Sequence, residues 1–374
     1  MNNIFKLIAG IVVIFLVIIL FAFASKNSQT ASGSIKIGVI TPLSGSMSYW
    51  GLPSTNGMKL AVEEINNAGG ISNKKLELVV EDSKGDVAEG ANAANKLINI
   101  DKVFTIITDL TSVSNAVLPF TEKAQMPAIF NAADSNIALQ SKFAFKTFYD
   151  AKKECKNLAD YAVNVIGMKK IGLLLPTTMP YSQTCISGVK EVTSNTVDLS
   201  YQFLSGDYKT ILLKAKQAKV DGMVWLGFPF ETDVLNKQKQ ELGIKIPLLC
   251  GYKEECISDT AKKTVSNDYL NGTISFDFQD ISSSAFGKKY LALYPDTSTE
   301  DIVPAAFGYD EVMTIASALK KDSNLDKTTF FEELKNVKNY STAIGSSGFD
   351  SNRILNINTR LLKYNNGNWD LITK

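Results

Sequence analysis

Along this chain the spacing of apolar residues switches between two periods in a regular order. Ile35-Lys-Ile-Gly-Val-Ile40 is a short apolar run that predicts a buried strand, broken at Thr41-Pro-Leu-Ser-Gly45, where Pro and Gly favour a loop. From Gly57 onward, Met58, Ala61, Val62 and Ile65 fall at i, i+3, i+4 and i+7, the apolar stripe of an amphipathic helix. Ala68-Gly-Gly70 ends that helix, because Gly accepts left-handed backbone without a Cβ clash. Leu76, Leu78 and Val80 then mark a second strand ending at Asp82. Strand, loop, helix, strand is a βαβ unit, and in such sheets ligands gather beyond the carboxyl ends of the strands. The Ser44–Pro53 loop is therefore expected to border a binding crevice.

The alternation continues to the end of the chain. Asp86 reads as the N-cap of a helix to about Asn99, and a helix from Ser112 to Gln125 is disturbed at Pro119. Strands are expected at Val103–Thr108, Ala128–Phe130, Ile171–Leu175, Val197–Leu204, Met223–Leu226 and Ile246–Leu249. Helices are expected at Lys153–Ile166, Tyr181–Thr193, Tyr208–Ala218 and Thr232–Leu242, and later near Ser283–Tyr294, Glu300–Lys320 and Thr328–Lys335. Thr273–Phe278 is expected to return the chain to an earlier half. Near the end, Arg353–Asn358 and Arg360–Tyr364 read as strands, the latter turning at Asn365-Asn-Gly367 into Trp369–Ile372 as a hairpin. Alternating strands and helices argue an α/β fold with parallel sheets, and 374 residues exceed what one core usually serves.

Leu7 to Ala24 carries no charge and is flanked by Lys6 and Lys26. It is either the apolar part of a signal peptide, with Ala22-Phe-Ala24 as the cleavage pattern, or an uncleaved membrane anchor. Residues 1–34 are thus set apart as an export segment plus polar linker, and the rest is expected outside the cytoplasmic membrane. Export gives the four cysteines a meaning. Cys250 and Cys256 would close a small loop and leave Cys155 to pair with Cys185; free buried thiols are the alternative. A metal site is disfavoured by that spacing and by the absence of histidine, and a net charge of +1 gives no reason to expect nucleic acid. Without histidine there is no Ser-His-Asp or Cys-His chemistry, and neither a Gly-x-Ser-x-Gly elbow nor a phosphate-binding glycine loop occurs. A non-enzymatic protein with no cofactor is expected.

Ile37-Gly-Val-Ile-Thr-Pro-Leu-Ser-Gly45, then Trp50-Gly51, then Gly57 through Ala68-Gly-Gly-Ile71, resembles the opening of the type I periplasmic solute-binding proteins. The similarity is greatest to the branched-chain amino acid group that serves ATP-driven importers, extends over most of the chain after residue 34 and is weakest beyond about Lys320. It implies two Rossmann-like lobes joined by three hinge strands with a ligand between them. Residues 35–149 and 275–340 would form the first lobe, 150–274 and 341–374 the second. It also implies a monomer that captures a small amino acid, or a related amide or organic acid, and passes it to an ABC permease in the membrane. A ligand-sensing module that signals through a membrane receptor is the alternative.

The resemblance points to particular residues. Ser112, at the start of a helix, stands where the family places its ligand-carboxylate serine, and unpaired N–H groups at a helix start favour an anion; a plain N-cap is the competing role. Ala132, Ala133 and Asp134 follow a strand where similar proteins present backbone groups and a Thr hydroxyl. Asp134 replaces that Thr, and either meets a ligand ammonium or caps the next segment. Trp50, Tyr181, Phe228 and Tyr309 match aromatic walls. Where relatives carry an acidic partner for the ammonium, strict alignment puts Lys253, with Glu254 one step further. If the cysteine loop shifts the register, Glu254 or Glu255 restores the acid; a solvated Lys-Glu-Glu turn is the third arrangement.

Overall fold

The structure is a computed structural model that describes residues 33–298, 301–322, 324–338 and 343–372. The export segment expected before residue 34 lies outside these. Among the described residues no helix is long and apolar enough to cross a membrane.

Two sheets carry the fold. In the first, β1 (Ile35–Thr41), β2 (Leu76–Asp82), β3 (Thr105–Asp109), β4 (Ala128–Asn131) and β5 (Ala144–Lys146) run parallel in the order β2-β1-β3-β4-β5. In the second, β6 (Ile171–Leu174), β7 (Thr196–Asp198), β8 (Gly222–Trp225), β9 (Leu248–Cys250) and β10 (Ile274–Asp277) are parallel. Two small strands, β11 (Ser346–Phe349) and β12 (Leu355–Ile357), pair with each other, and β13 (Arg360–Asn365) with β14 (Asn368–Leu371) closes the second sheet as an antiparallel edge. Its order is β14-β13-β10-β9-β8-β6-β7. The hairpin turns at Asn365-Asn366-Gly367, with Asn366 and Gly367 both at positive φ, as this turn chemistry requires.

The first lobe is clamped by helix Ser48–Asn67 lying on helix Ile302–Leu319. Their contact depends on Gly57 and Gly308: a Cβ on Gly57 would stand 1.9 Å from the Ala305 carbonyl oxygen, and one on Gly308 would stand 2.2 Å from that of Ser54. In the second lobe, Cys155–Cys185 ties helix Ala151–Asp160 to helix Pro180–Lys190, and Cys250–Cys256 closes the segment after β9. Both expected pairings are present.

The chain passes between lobes three times: after β5 at residues 147–150, after β10, and between β12 and β13. The first passage is fixed by Lys146, whose buried ammonium donates to the carbonyls of Phe148 (2.6 Å) and Tyr149 (2.9 Å).

Several elements differ from the sequence expectation. The Ser44–Pro53 stretch is not all loop, because the helix already begins at Ser48, where Trp50 N–H bonds the Met47 carbonyl, and it tolerates Pro53 near its start. Val197–Leu204 keeps only a three-residue strand, β7; the Asp198 carboxylate accepts the Ser200 N–H and bends the chain, which rejoins the sheet at one bridge between Pro176 and Tyr201. Thr273–Phe278 does not return the chain to the first lobe, since β10 sits between β9 and β13. The last segment is not wholly in the second lobe either: Phe349 of β11 packs on Phe145 of β5, ring centroids 5.1 Å apart.

Candidate ligand-binding cleft

In the first sheet β1 lies between β2 and β3, and in the second β6 lies between β7 and β8, so each sheet reverses its order next to its first strand. Such switch points leave a crevice beyond the carboxyl ends of the strands. The two crevices face one another across a cleft of about 700 Å³ of empty space, part of it open to solvent. Every wall follows a strand end. Met47, Tyr49 and Trp50 follow β1, Leu110 to Ser112 follow β3, and Asn131 and Ala133 lie at and beyond the end of β4. From the other lobe come Met179 and Tyr181 after β6, Leu226 to Phe228 after β8, and Glu255 after β9.

Ser112 stands in the first turn of helix Thr111–Lys123 and lines the cleft, with no described residue bonded to its hydroxyl. The residue ahead of that helix, Leu110, has φ +70°, a left-handed backbone that a branched side chain adopts only under constraint. That turn presents the helix start to the cavity, where unpaired N–H groups and the helix dipole favour an anion. Thr111 also lines the cleft, and its Oγ1 accepts the Ala133 N–H at 3.0 Å, which fixes the side chain and leaves its O–H to donate.

Opposite stands Glu255, buried, with Oε2 facing no hydrogen-bond donor. Burial pushes its carboxyl well above the usual range, the neighbouring Glu254 adds to this, and a hydrogen bond with Tyr252 opposes it. Its backbone is held by a relay in which the Trp225 indole N–H donates to Thr232 Oγ1, and that hydroxyl donates to the Glu255 carbonyl at 2.7 Å. Gly251 makes room for the carboxylate, since any Cβ there would stand 2.0 Å from Glu255 Oε2. The Cys250–Cys256 bridge encloses this whole segment.

Lys253 and Glu254 are not in the cleft. The segment after β9 is a helical turn, Lys253–Cys256, in which neighbours point about 100° apart, so Lys253 and Glu255 face different ways. Lys253 Nζ pairs with Asp277 Oδ2 at 3.0 Å and with Glu254 Oε1 at 3.4 Å, while Arg360 meets the same Asp277 oxygen at 3.2 Å. Burial raises Glu254 to about 7, partly offset by the Lys253 charge. Of the arrangements open in the sequence, the acid that reaches the cavity is Glu255.

The strand-end segment Ala132-Ala133-Asp134 also behaves otherwise than expected. Ala132 packs in the core below the sheet. Ala133 reaches the cleft, but its N–H is taken by Thr111 and its carbonyl by the Ala151 N–H. Asp134 accepts the Asn136 N–H at 3.0 Å, the capping role, and does not line the cleft.

Three of the four expected aromatics meet at the cleft. Trp50 packs edge-on to Phe148 at 4.9 Å, Tyr181 donates to the Leu226 carbonyl at 3.0 Å, and Phe228 joins a cluster with Tyr49, Phe203 and Phe230. Tyr309 is elsewhere: its hydroxyl donates to Glu64 Oε2 at 2.6 Å and its ring rests on Phe286. The aromatic of that helix that touches Trp50 is Phe307, two residues earlier and on the opposite side. Residues the sequence reading missed, Tyr49, Asn131, Phe148, Tyr149 and Phe203, lie within a few residues of strand ends or crossings that were recognised. No group of three or more metal-ligating side chains occurs among the described residues.

The family profile described as periplasmic binding protein matches residues 34–367. The Leu/Ile/Val-binding protein BraC3 of Rhizobium johnstonii is 26% identical over 331 residues, covering 84% of this chain and 87% of that one. Among solved structures, the branched-chain amino acid transporter substrate-binding protein LivJ of Streptococcus pneumoniae, in complex with isoleucine, superposes with a TM-score of 0.79 at 24% identity, covering 91% of this chain and 99% of that one. A solute-binding protein of an ABC transporter from Rhodopseudomonas palustris, in complex with 3,4-dihydroxybenzoic acid, gives 0.76 at 22% identity, covering 88% and 93%. The chain belongs to the periplasmic binding protein family, in the type I group that includes the Leu/Ile/Val-binding proteins.

Proposed function

We propose that this protein is the extracytoplasmic substrate-binding component of an ABC importer and that its ligand is a small α-amino acid with an apolar side chain. The observation that carries the reading is the pair of opposed polar groups in one apolar cleft: Ser112 at a helix start on the first lobe and, on the second, Glu255, whose Oε2 has no donor. A helix start suits a carboxylate, and a buried carboxylate oxygen without a donor suits an ammonium. An α-amino acid supplies both, and Met47, Tyr49, Met179, Phe203 and Phe228 supply apolar contact for its side chain.

Hydrogen bonds to charged groups contribute roughly 1.5–3 kcal/mol each, so losing one changes affinity about tenfold or more. Because the polar groups come from different lobes, a ligand that satisfies both binds the closed arrangement better than the open one and shifts the population toward it. The closed form is then what a membrane permease recognises.

Benzoate, bound by one R. palustris solute-binding protein, brings no donor to Glu255 Oε2, and the hydroxyls of 3,4-dihydroxybenzoic acid donate without the positive charge that balances a buried carboxylate. That favours the amino acid. A thermal-shift screen of amino acids, their amides and benzoates tests the assignment. Amino acids should raise the unfolding midpoint of the wild type, and Ser112→Ala and Glu255→Gln should each reduce the shift. A rise with benzoates alone, unaltered in Glu255→Gln, would contradict it.

A further inference from the structure

Asn131 lies at the end of β4, 2% exposed, and lines the cleft from the first lobe. Behind it stands Glu311, also buried, whose Oε1 accepts from Asn131 Nδ2 at 2.8 Å and from Thr147 Oγ1 at 2.6 Å. A carboxylate oxygen that already accepts the Thr147 hydroxyl requires the amide nitrogen, not the oxygen, to face it. The Asn131 side chain is therefore oriented, and its Oδ1 is the polar atom left unengaged in a residue that borders the cavity. Glu311 is fixed in turn. Its second oxygen, Oε2, has no donor, and the same holds for Oδ1 of the facing Asp109, whose other oxygen accepts the Thr41 hydroxyl at 2.6 Å. Both carboxyls are fully buried, and burial with the neighbouring Asp109 charge holds the Glu311 carboxyl well above the usual range. Asp310, the other acid beside Glu311, is bound to the N–H groups of Ala343 and Ile344.

We propose that Asn131 Oδ1 is the first-lobe acceptor for the ligand's amino group, opposite Glu255 on the second lobe, and that Glu311 is the positioning residue that aims it. The inference rests on the amino-acid reading above and sharpens it. An ammonium has three N–H donors and can meet an acceptor from each lobe, whereas a hydroxyl has one. The cleft thus selects for an amine at this point and uses it to draw the lobes together. Of the neighbouring acceptors, the Ala133 carbonyl already takes the Ala151 N–H, and Asp134 does not line the cleft.

The test compares amine-bearing probes with their des-amino analogues, L-leucine against 4-methylpentanoate and L-phenylalanine against 3-phenylpropanoate, by calorimetric titration of the full chain. Asn131→Leu, similar in volume and without the carbonyl, should weaken the amine-bearing probe about tenfold or more and leave the des-amino analogue within about twofold. Glu311→Gln keeps an acceptor for the Asn131 amide and should retain the preference for amines. Glu311→Leu should lose that preference while its des-amino affinity stays. Unfolding midpoints recorded alongside separate loss of fold from loss of recognition. Equal weakening of both probes in folded Asn131→Leu, or no weakening of either, overturns the role of Asn131 and leaves the amino-acid reading standing. Capture by wild type of des-amino probes alone, or of no probe, overturns the amino-acid reading and this assignment with it.

Discussion

Gly251 and Glu255 are matched: the carboxylate of Glu255 occupies the space where any larger residue at 251 would place its Cβ, 2.0 Å from Oε2. A glycine is needed here for close approach, and what it admits is the acid whose Oε2 has no donor. Gly251→Ala should therefore push Glu255 out of position and weaken capture of amino-acid probes about tenfold or more, with secondary structure intact by circular dichroism. Calorimetry on the variant gives the answer, and an unchanged affinity would show that Glu255 is not a ligand contact.

The two disulfides should separate stability from recognition. By chain-entropy arithmetic, Cys155–Cys185 spans enough chain to contribute about 4 kcal/mol and Cys250–Cys256 about 2 kcal/mol. Replacing both cysteines of the longer-range pair by Ser should cost more in urea unfolding and leave ligand preference alone. The same change at Cys250 and Cys256 should cost less and yet reduce affinity, because that loop carries Glu255.

Binding should depend on pH through Glu255. Its carboxyl is raised by burial, and Glu254, also raised, to about 7, stands beside it, with the Tyr252, Tyr149 and Tyr181 hydroxyls nearby. An ammonium ligand requires the ionised acid, so binding expels a proton wherever the free protein holds one. Affinity should then fall about tenfold for each pH unit below the raised value and level off above it. For the ligand-free protein the sign is opposite: a raised acid favours the folded state at low pH and loses that contribution as pH climbs from the ordinary carboxylate value to the raised one. Titrations at several pH values, repeated on Glu255→Gln, should show the slope and its disappearance.

Much of this was legible in the sequence because the signals are local. The i, i+3, i+4, i+7 stripe from Met58 to Ile65, the glycines that stop it and the Asp86 cap each act within a few residues, and each forms as expected. Ser112, Trp50, Tyr181 and Phe228 could be placed because the family resemblance holds through the segments that follow these strands. What was not legible depends on direction. Whether Lys253, Glu254 or Glu255 enters the cleft is decided by a single helical turn, and whether Tyr309 or Phe307 meets Trp50 by the rotation of one helix. The partner that makes Asn131 a recognition element, Glu311, lies 180 residues away and is brought to it only by the tertiary fold. The short strands β5 and β11 carry too few residues for a period to show.

Lys239 offers a stability test remote from the cleft. It is fully buried, its ammonium meets the Tyr269 carbonyl at 3.1 Å, and burial lowers it to about 7. A lowered lysine contributes stability above its unfolded value, near pH 10, and loses it as pH falls toward 7. Lys239→Met keeps the stem's packing without the charge and should stabilise the fold by ~2 kcal/mol at pH 6, with a smaller gain at pH 9. Thermal unfolding at the two pH values checks both sign and ordering, and ligand affinity should not change.

The central claim is that two lobes close on a small amino acid held between Ser112 and Glu255. A crystal structure of the protein grown with whichever amino acid most raises its unfolding midpoint addresses this most directly. The account predicts the ligand carboxylate at the start of helix Thr111–Lys123, within hydrogen-bond reach of Ser112, and its ammonium against Glu255. A ligand bound outside the cleft, or inside it with its amine turned away from Glu255, would contradict the account.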